Sequence, residues 1–170
     1  NDLSLLNYFE DKNEIEENQI VKFTGLTWDE KRKQIYFLNV DYDFFKLKDG
    51  ESKPNLLQTF NKDIKIWDLD LSPNKKYIAI WYDDFNKQHS GIYIYDISLS
   101  KITNDIRSKG SFIQLLGWSF DNNIYYQSDS LYLFDLSSNS VKTIELNINP
   151  DSLRVTKIYA KDSQSIILLV

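Results

Sequence analysis

Residues able to do chemistry are few in this chain and scattered along it. His89 is the single histidine, and there is no cysteine. A hydrolytic triad needs a histidine beside a nucleophile, and a histidine-based metal site needs further ligands at short spacing. His89 stands instead in Asp83-Asp84-Phe85-Asn86-Lys87-Gln88-His89-Ser90-Gly91, a polar run with adjacent carboxylates. Asp83 and Asp84 could begin a Ca²⁺ site, but such a site takes about six to eight oxygens, and adjacent acids in a polar segment are ordinarily solvated. Asn39, Asp41 and Asp43 imitate the opening of a calcium-binding loop. Phe44 stands where that loop needs glycine and Gly50 where it needs glutamate, so the match fails. No catalytic residue, metal ligand or cofactor site is therefore assigned. The candidate binding residues are Tyr82, Asp83, Asp84, Phe85 and His89, joined by Asp41 and Asp43.

Two further charged features have a functional and a plainer reading. Asp68 and Asp70 alternate, so on a strand both project from one face. On an inner strand they would line a channel; at a strand end they would bond nearby backbone. The acidic run from Glu10 to Glu17 could draw a basic partner, or simply guard a sheet edge against aggregation. The basic run Lys31-Arg32-Lys33 reads as a solvated turn, and the net charge of −5 lacks the electrostatic footprint of a nucleic-acid binder. No apolar run approaches the roughly 20 residues of a membrane-spanning helix.

The elements that must hold these residues are strands. Aromatic residues make up 15% of the chain, with Tyr and Phe dominant, which suits half-buried pleated surfaces. Apolar positions follow a period near two rather than 3.6. A longer repeat lies over this one. The segments starting at Gly25, Leu69, Leu116 and Lys157 each read as a strand ending in a large apolar anchor, then a polar turn, then an apolar strand. The anchors are Trp28, Leu71, Trp118 and Tyr159, followed by Ile35, Ile78, Ile124 and Ile166. Their spacing falls in the range of roughly 40 to 50 residues typical of propeller blades. Third strands follow at Tyr42 to Leu47, Ile92 to Ile97 and Leu131 to Leu136. Fourth strands follow at Asn55 to Thr59, Leu99 to Thr103 and Val141 to Leu146. The aromatics at anchored positions read as core.

The expected architecture is an all-β domain over residues 1–170, built of antiparallel four-stranded blades with about four blades' worth of chain. Leu71-Ser72-Pro73-Asn74-Lys75-Lys76-Tyr77-Ile78-Ala79-Ile80, Trp118-Ser119-Phe120-Asp121 and Ile92-Tyr93-Ile94-Tyr95-Asp96 together resemble the repeat of TolB-like propellers, which is also similar to the WD40 repeat and to the propeller domains of prolyl-oligopeptidase-like peptidases. Lys75 and Asn123 stand where that repeat has a hairpin-tip glycine. The first repeat lacks the Ser-Pro, and no Gly-x-Ser-x-Gly elbow occurs, so peptidase activity does not carry over.

Such blades pack internally and present loops. The expectation is a non-enzymatic scaffold that binds protein or peptide through an expanded loop from Tyr82 to Gly91. An accessory gating domain of a larger hydrolase and a carbohydrate-binding surface are the alternatives. The lack of cysteine and the TolB-like resemblance point to the extracytoplasmic side of a bacterium, with a cytoplasmic WD40-like adaptor as the alternative. Leu3 to Phe9 reads as part of a third strand and Ile166 to Val170 as a second strand. The anchor period would suit a closed four-bladed ring with the two ends paired in one blade; the absence of Met and the abrupt apolar end favour instead a piece of a larger ring, with those two segments in different sheets.

Overall fold

The computed structural model describes residues 25–108, 112–145, 155–160 and 166–169, with side chains described through 158. The segment from Leu3 to Phe9 and the acidic run Glu10 to Glu17 lie outside the described residues. The chain divides into two compact units, residues 1–62 and 63–170.

In the first unit, β1 (Gly25–Asp29), β2 (Gln34–Leu38), β3 (Asp43–Lys48) and β4 (Asn55–Thr59) form one antiparallel sheet in chain order. β2 is buried along its whole length. Ile35, Phe37 and Leu47 cluster on one face with Phe45, and Tyr36 stacks on Phe44 on the other. The anchor Trp28 is not core here. It is 43% exposed, whereas the equivalent anchors Leu71 and Trp118 are buried.

In the second unit, β5 (Ile64–Leu71), β6 (Tyr77–Asp84), β7 (His89–Asp96) and β8 (Lys101–Arg107) form a second four-stranded sheet. A third contains β9 (Gln114–Trp118), β10 (Ile124–Gln127), β11 (Leu131–Asp135) and β12 (Ser140–Thr143). β13 (Lys157–Ala160) pairs antiparallel with β14 (Ile166–Leu169). The two four-stranded sheets pack through Ala79, Ile92, Ile94 and Ile106 of one and Leu115, Trp118, Ile124, Tyr126 and Phe134 of the other. The far side of the third sheet packs Leu116 and Leu131 against Val155 and Ile158.

Turn chemistry repeats with the strands. Ser72 and Ser119 each close a first hairpin. The Tyr77 amide donates to Ser72 Oγ at 3.0 Å and the Asn123 amide to Ser119 Oγ at 2.9 Å. The left-handed residue of each turn is Lys75 (φ 60°) and Asn122 (φ 65°), so the position a glycine would fill is Asn122 rather than Asn123. Asn122 Oδ1 also accepts from the Asn74 amide at 2.8 Å, tying the two turns together. Asp96 and Asp135 close the third-to-fourth turns. Asp96 Oδ1 accepts from the amides of Ser98 and Leu99 and from Ser98 Oγ. Asp135 Oδ1 accepts in the same pattern from Ser137 and Ser138. Burial pushes the Asp96 carboxyl up, but these hydrogen bonds outweigh it and hold the group below the ordinary carboxylate value. The same turn displaces the expected fourth strand. Leu99 and Ser100 belong to it, so β8 starts only at Lys101 and runs on to Arg107.

Inner strands come close where Gly117 meets β13. Gly117 has φ 141°, and a Cβ there would collide with the Ile158 carbonyl oxygen. The adjacent Trp118 indole N–H donates to the Asp70 carbonyl at 3.1 Å.

Candidate functional site

The segment expected as an expanded loop is a long hairpin. Tyr82, Asp83 and Asp84 continue β6, while His89, Ser90 and Gly91 begin β7, in a register pairing Tyr82 with Gly91, Asp83 with Ser90 and Asp84 with His89. Only Phe85 to Gln88 turn, closed by Gln88 at φ 52°. The polar residues misread as loop are satisfied locally, which lets the ladder continue. Asp84 is buried, and its Oδ1 accepts from the Lys87 amide at 3.0 Å while Oδ2 meets Lys87 Nζ at 2.9 Å. The lysine's hydrogen bond holds the Asp84 carboxyl below its usual value despite burial. At the tip, the Phe85 amide donates to the Asp63 carbonyl and Asn86 Nδ2 to the Asp63 carboxylate. Phe85 itself is 63% exposed.

The pleat then sorts the named residues onto two faces. One face holds Tyr82, which has no exposed surface. Its ring lies on Gly91 and stacks on Tyr93 at 4.0 Å between centroids. Its hydroxyl donates to Asp105 Oδ1 at 2.6 Å and sits 3.3 Å from His89 Nε2. Arg107 Nε donates to the other oxygen of Asp105 at 2.6 Å. Burial, then the hydrogen bond to Asp105, push the Tyr82 phenol far above its ordinary pKa, so it stays a neutral donor. This is a packed, satisfied network.

The other face carries Trp81, Asp83 and a residue that the sequence reading passed over, Trp67. The register between β5 and β6 slips between Ile66 and Asp68, so Trp67 and Asp68 together oppose Trp81. Such a bulge re-aims a side chain. Trp67 is left 41% exposed and stacked on Trp81, with centroids 5.7 Å apart. Its indole N–H donates to Asp83 Oδ2 at 2.7 Å, and the Lys65 ammonium lies 3.5 Å above its ring. Phe112, 46% exposed, meets Trp81 edge-on at 6.3 Å. The available signal was the pair of tryptophans on neighbouring antiparallel strands.

Asp68 and Asp70 do share a face, and both reach Lys157 of β13, at 3.7 and 3.6 Å. Burial raises the Asp70 carboxyl while Lys157 opposes the rise. Beside them an open cleft of about 280 Å³ is walled by Pro73, Trp118 and Phe120. The ion pairs join β5 to β13, a bracing role for these acids.

Asp41 and Asp43 belong to the β2–β3 turn of the first unit. Asn39 Oδ1 accepts from both of their amides, at 3.0 and 2.8 Å, and Tyr42 takes φ 60°. Their backbones close a turn and their carboxylates do not converge with a third acid. In the basic run, Arg32 pairs with the buried Asp29 at 2.6 Å and Lys33 is the left-handed turn residue. Among the described residues no group of three or more His, Asp or Glu side chains is placed to hold a metal ion.

With that geometry in hand, the sheets have counterparts among solved structures. The structure of U3-55K and the crystal structure of the RRP9 WD40 repeats each superpose with a TM-score of 0.57 at 14% identity, covering 72% of this chain and 38% of theirs. The chain is built of WD40-like propeller blades. It spans 38% of the length of each of those chains. No protein-family model matches the sequence, and no curated protein matches it. At this identity the WD40-like likeness is one of fold. It accounts for the four-stranded sheets.

Proposed function

We propose that this chain is a protein-interaction scaffold and that it receives a protein or peptide partner on the Trp67–Trp81–Phe112 surface of its second unit. One observation carries the reading: at the β-bulge of β5, Trp67 stands 41% exposed and stacked on Trp81 rather than buried in the core. Large aromatic side chains that are rigid and only partly covered are the residues on which interfaces concentrate their binding energy. WD40-like blades suit that role, since their interiors pack and their surfaces are left to specify a partner. Asp83 supplies a charged rim to the aromatic patch. In this reading Tyr82, Asp84 and His89 build the hairpin and do not touch the partner.

Selection of a random peptide library on the wild-type protein, followed by binding of the selected peptides to a Trp67→Ala/Phe112→Ala variant, tests the site. The expected outcome is loss of at least about tenfold in affinity, the scale of a removed hot-spot aromatic, with cooperative unfolding retained. Equal affinity for wild type and variant would overturn it. We also place the chain on the extracytoplasmic side of a bacterium. The TolB-like turn from Leu71 to Ile80 and the lack of cysteine support this, and fractionation of the source cells tests it.

A further inference from the structure

We propose that the Trp67 ring is a receptor for a cation, and that the partner presents an arginine or lysine side chain there in place of Lys65. The proposal rests on the interaction surface described above and names the chemistry it selects. Lys65 is the internal stand-in. Its ammonium already lies 3.5 Å over the Trp67 ring, which also stacks on Trp81. Tryptophan is the strongest of the aromatic cation receptors. Its affinity is raised here by Asp83, whose carboxylate accepts the indole N–H at 2.7 Å and so pushes electron density into the ring.

The surrounding charges fit the same ligand. Asp83 lies directly opposite Lys65 across the β5–β6 pair, and Asp68 lies opposite Trp81. Asp83 Oδ1 accepts no side-chain hydrogen bond among the described residues, so a guanidinium lying on the ring would find an acceptor beside it. Arginine suits this better than lysine, because its plane stacks on the indole while its N–H groups reach the carboxylate. The chain's net charge of −5 favours encounter with a basic segment. An acidic segment would gain nothing from the ring and would meet Asp83.

The test uses the whole chain labelled with ¹⁵N and follows the Trp67 indole N–H resonance, assigned by its loss in Trp67→Ala. The probes are tri-arginine, tri-lysine, tri-citrulline and tri-glutamate peptides and a neutral oligosaccharide. Tri-arginine is expected to shift that resonance saturably, with tri-lysine weaker. Lys65→Ala is expected to tighten tri-arginine binding about fivefold, within the range of a desolvated cation–π contact. Trp67→Phe should keep part of the affinity, and Trp67→Ala should lose it. If tri-citrulline, tri-glutamate or the oligosaccharide shifts the indole as strongly as tri-arginine, the cation assignment is wrong while the surface stands. If Lys65→Ala weakens binding of tri-arginine, the stand-in argument is wrong. If no probe shifts the indole and peptides from the library also bind independently of Trp67, both the assignment and the surface fail.

Discussion

The second sheet carries two aromatic stacks, Trp67–Trp81 on one face and Tyr82–Tyr93 on the other, and they differ in almost every physical respect. The tyrosine pair sits at 4.0 Å and 10°, with Tyr82 sealed over Gly91 and its hydroxyl bonded to Asp105. The tryptophan pair sits at 5.7 Å and 30°, half exposed, with a lysine on its outer ring. Neighbouring residues of one strand, Trp81 and Tyr82, feed the two stacks. The pleat sends Trp81 and Tyr82 to opposite faces, and Trp67, at the bulge of β5, joins the Trp81 side with 41% of its surface exposed. An aromatic stack with its polar atoms paired and its edges covered stabilises a sheet. One left partly exposed is available to a partner.

The sharpest way to break this contrast is to remove the sealed ring. Tyr82→Ala deletes a fully buried aromatic and leaves Asp105 facing a void, so urea unfolding should report a loss of about 3–5 kcal/mol. A loss near zero would mean the face is not core. A smaller effect is expected from the glycine beneath the ring. A Cβ at Gly91 would stand 2.6 Å from the Tyr82 hydroxyl oxygen. Gly91→Ala should therefore force the ring off its site and cost about 1–3 kcal/mol, the usual range for overpacking. Thermal unfolding of Gly91→Ala alone and combined with Tyr82→Ala checks the mechanism, because the glycine substitution should become nearly neutral once the ring is gone.

The turn that closes the hairpin gives a third, still smaller effect. Asp84→Asn weakens the acceptor of the Lys87 amide, worth about 1 kcal/mol for a charge-assisted bond, with little added by the exposed lysine head. The sign of its pH dependence follows from the lowered carboxyl. Its contribution is complete above the unfolded value near 3.8 and is lost as the pH falls through the lower folded value. Wild type and variant should differ in unfolding free energy at pH 6 and converge under strongly acid conditions. A constant difference across that range would contradict the ionic part of the account.

How far the sequence carried these conclusions depends on the residue. The strand–turn–strand repeat was legible because Ser72 and Ser119 recur before left-handed polar positions, and because Ile35, Ile78 and Ile124 return six or seven residues after their anchors and are buried. Third strands were legible because they are apolar on both faces, as β7 shows. The hairpin end was not. Asp83, Asp84, Asn86, Lys87 and Gln88 have the composition of a loop, and only the pairing of Asp84 with Lys87 reveals that the ladder continues to its last rung. Trp28 holds an anchor place in the repeat, yet it is 43% exposed where Leu71 and Trp118 are buried. The Trp67 surface is not legible from one strand, because it takes the register of β5 against β6 to bring Trp67 onto Trp81.

The contrast between the two stacks is tested most directly by Trp67→Ala. The account predicts that equilibrium urea unfolding of this variant shows a loss of only about 1 kcal/mol, the worth of one exposed aromatic stack, well below that of Tyr82→Ala measured under the same conditions. A loss as large as that of Tyr82→Ala would show that Trp67 is part of the core after all and would contradict the contrast between a sealed stack and a partly exposed one.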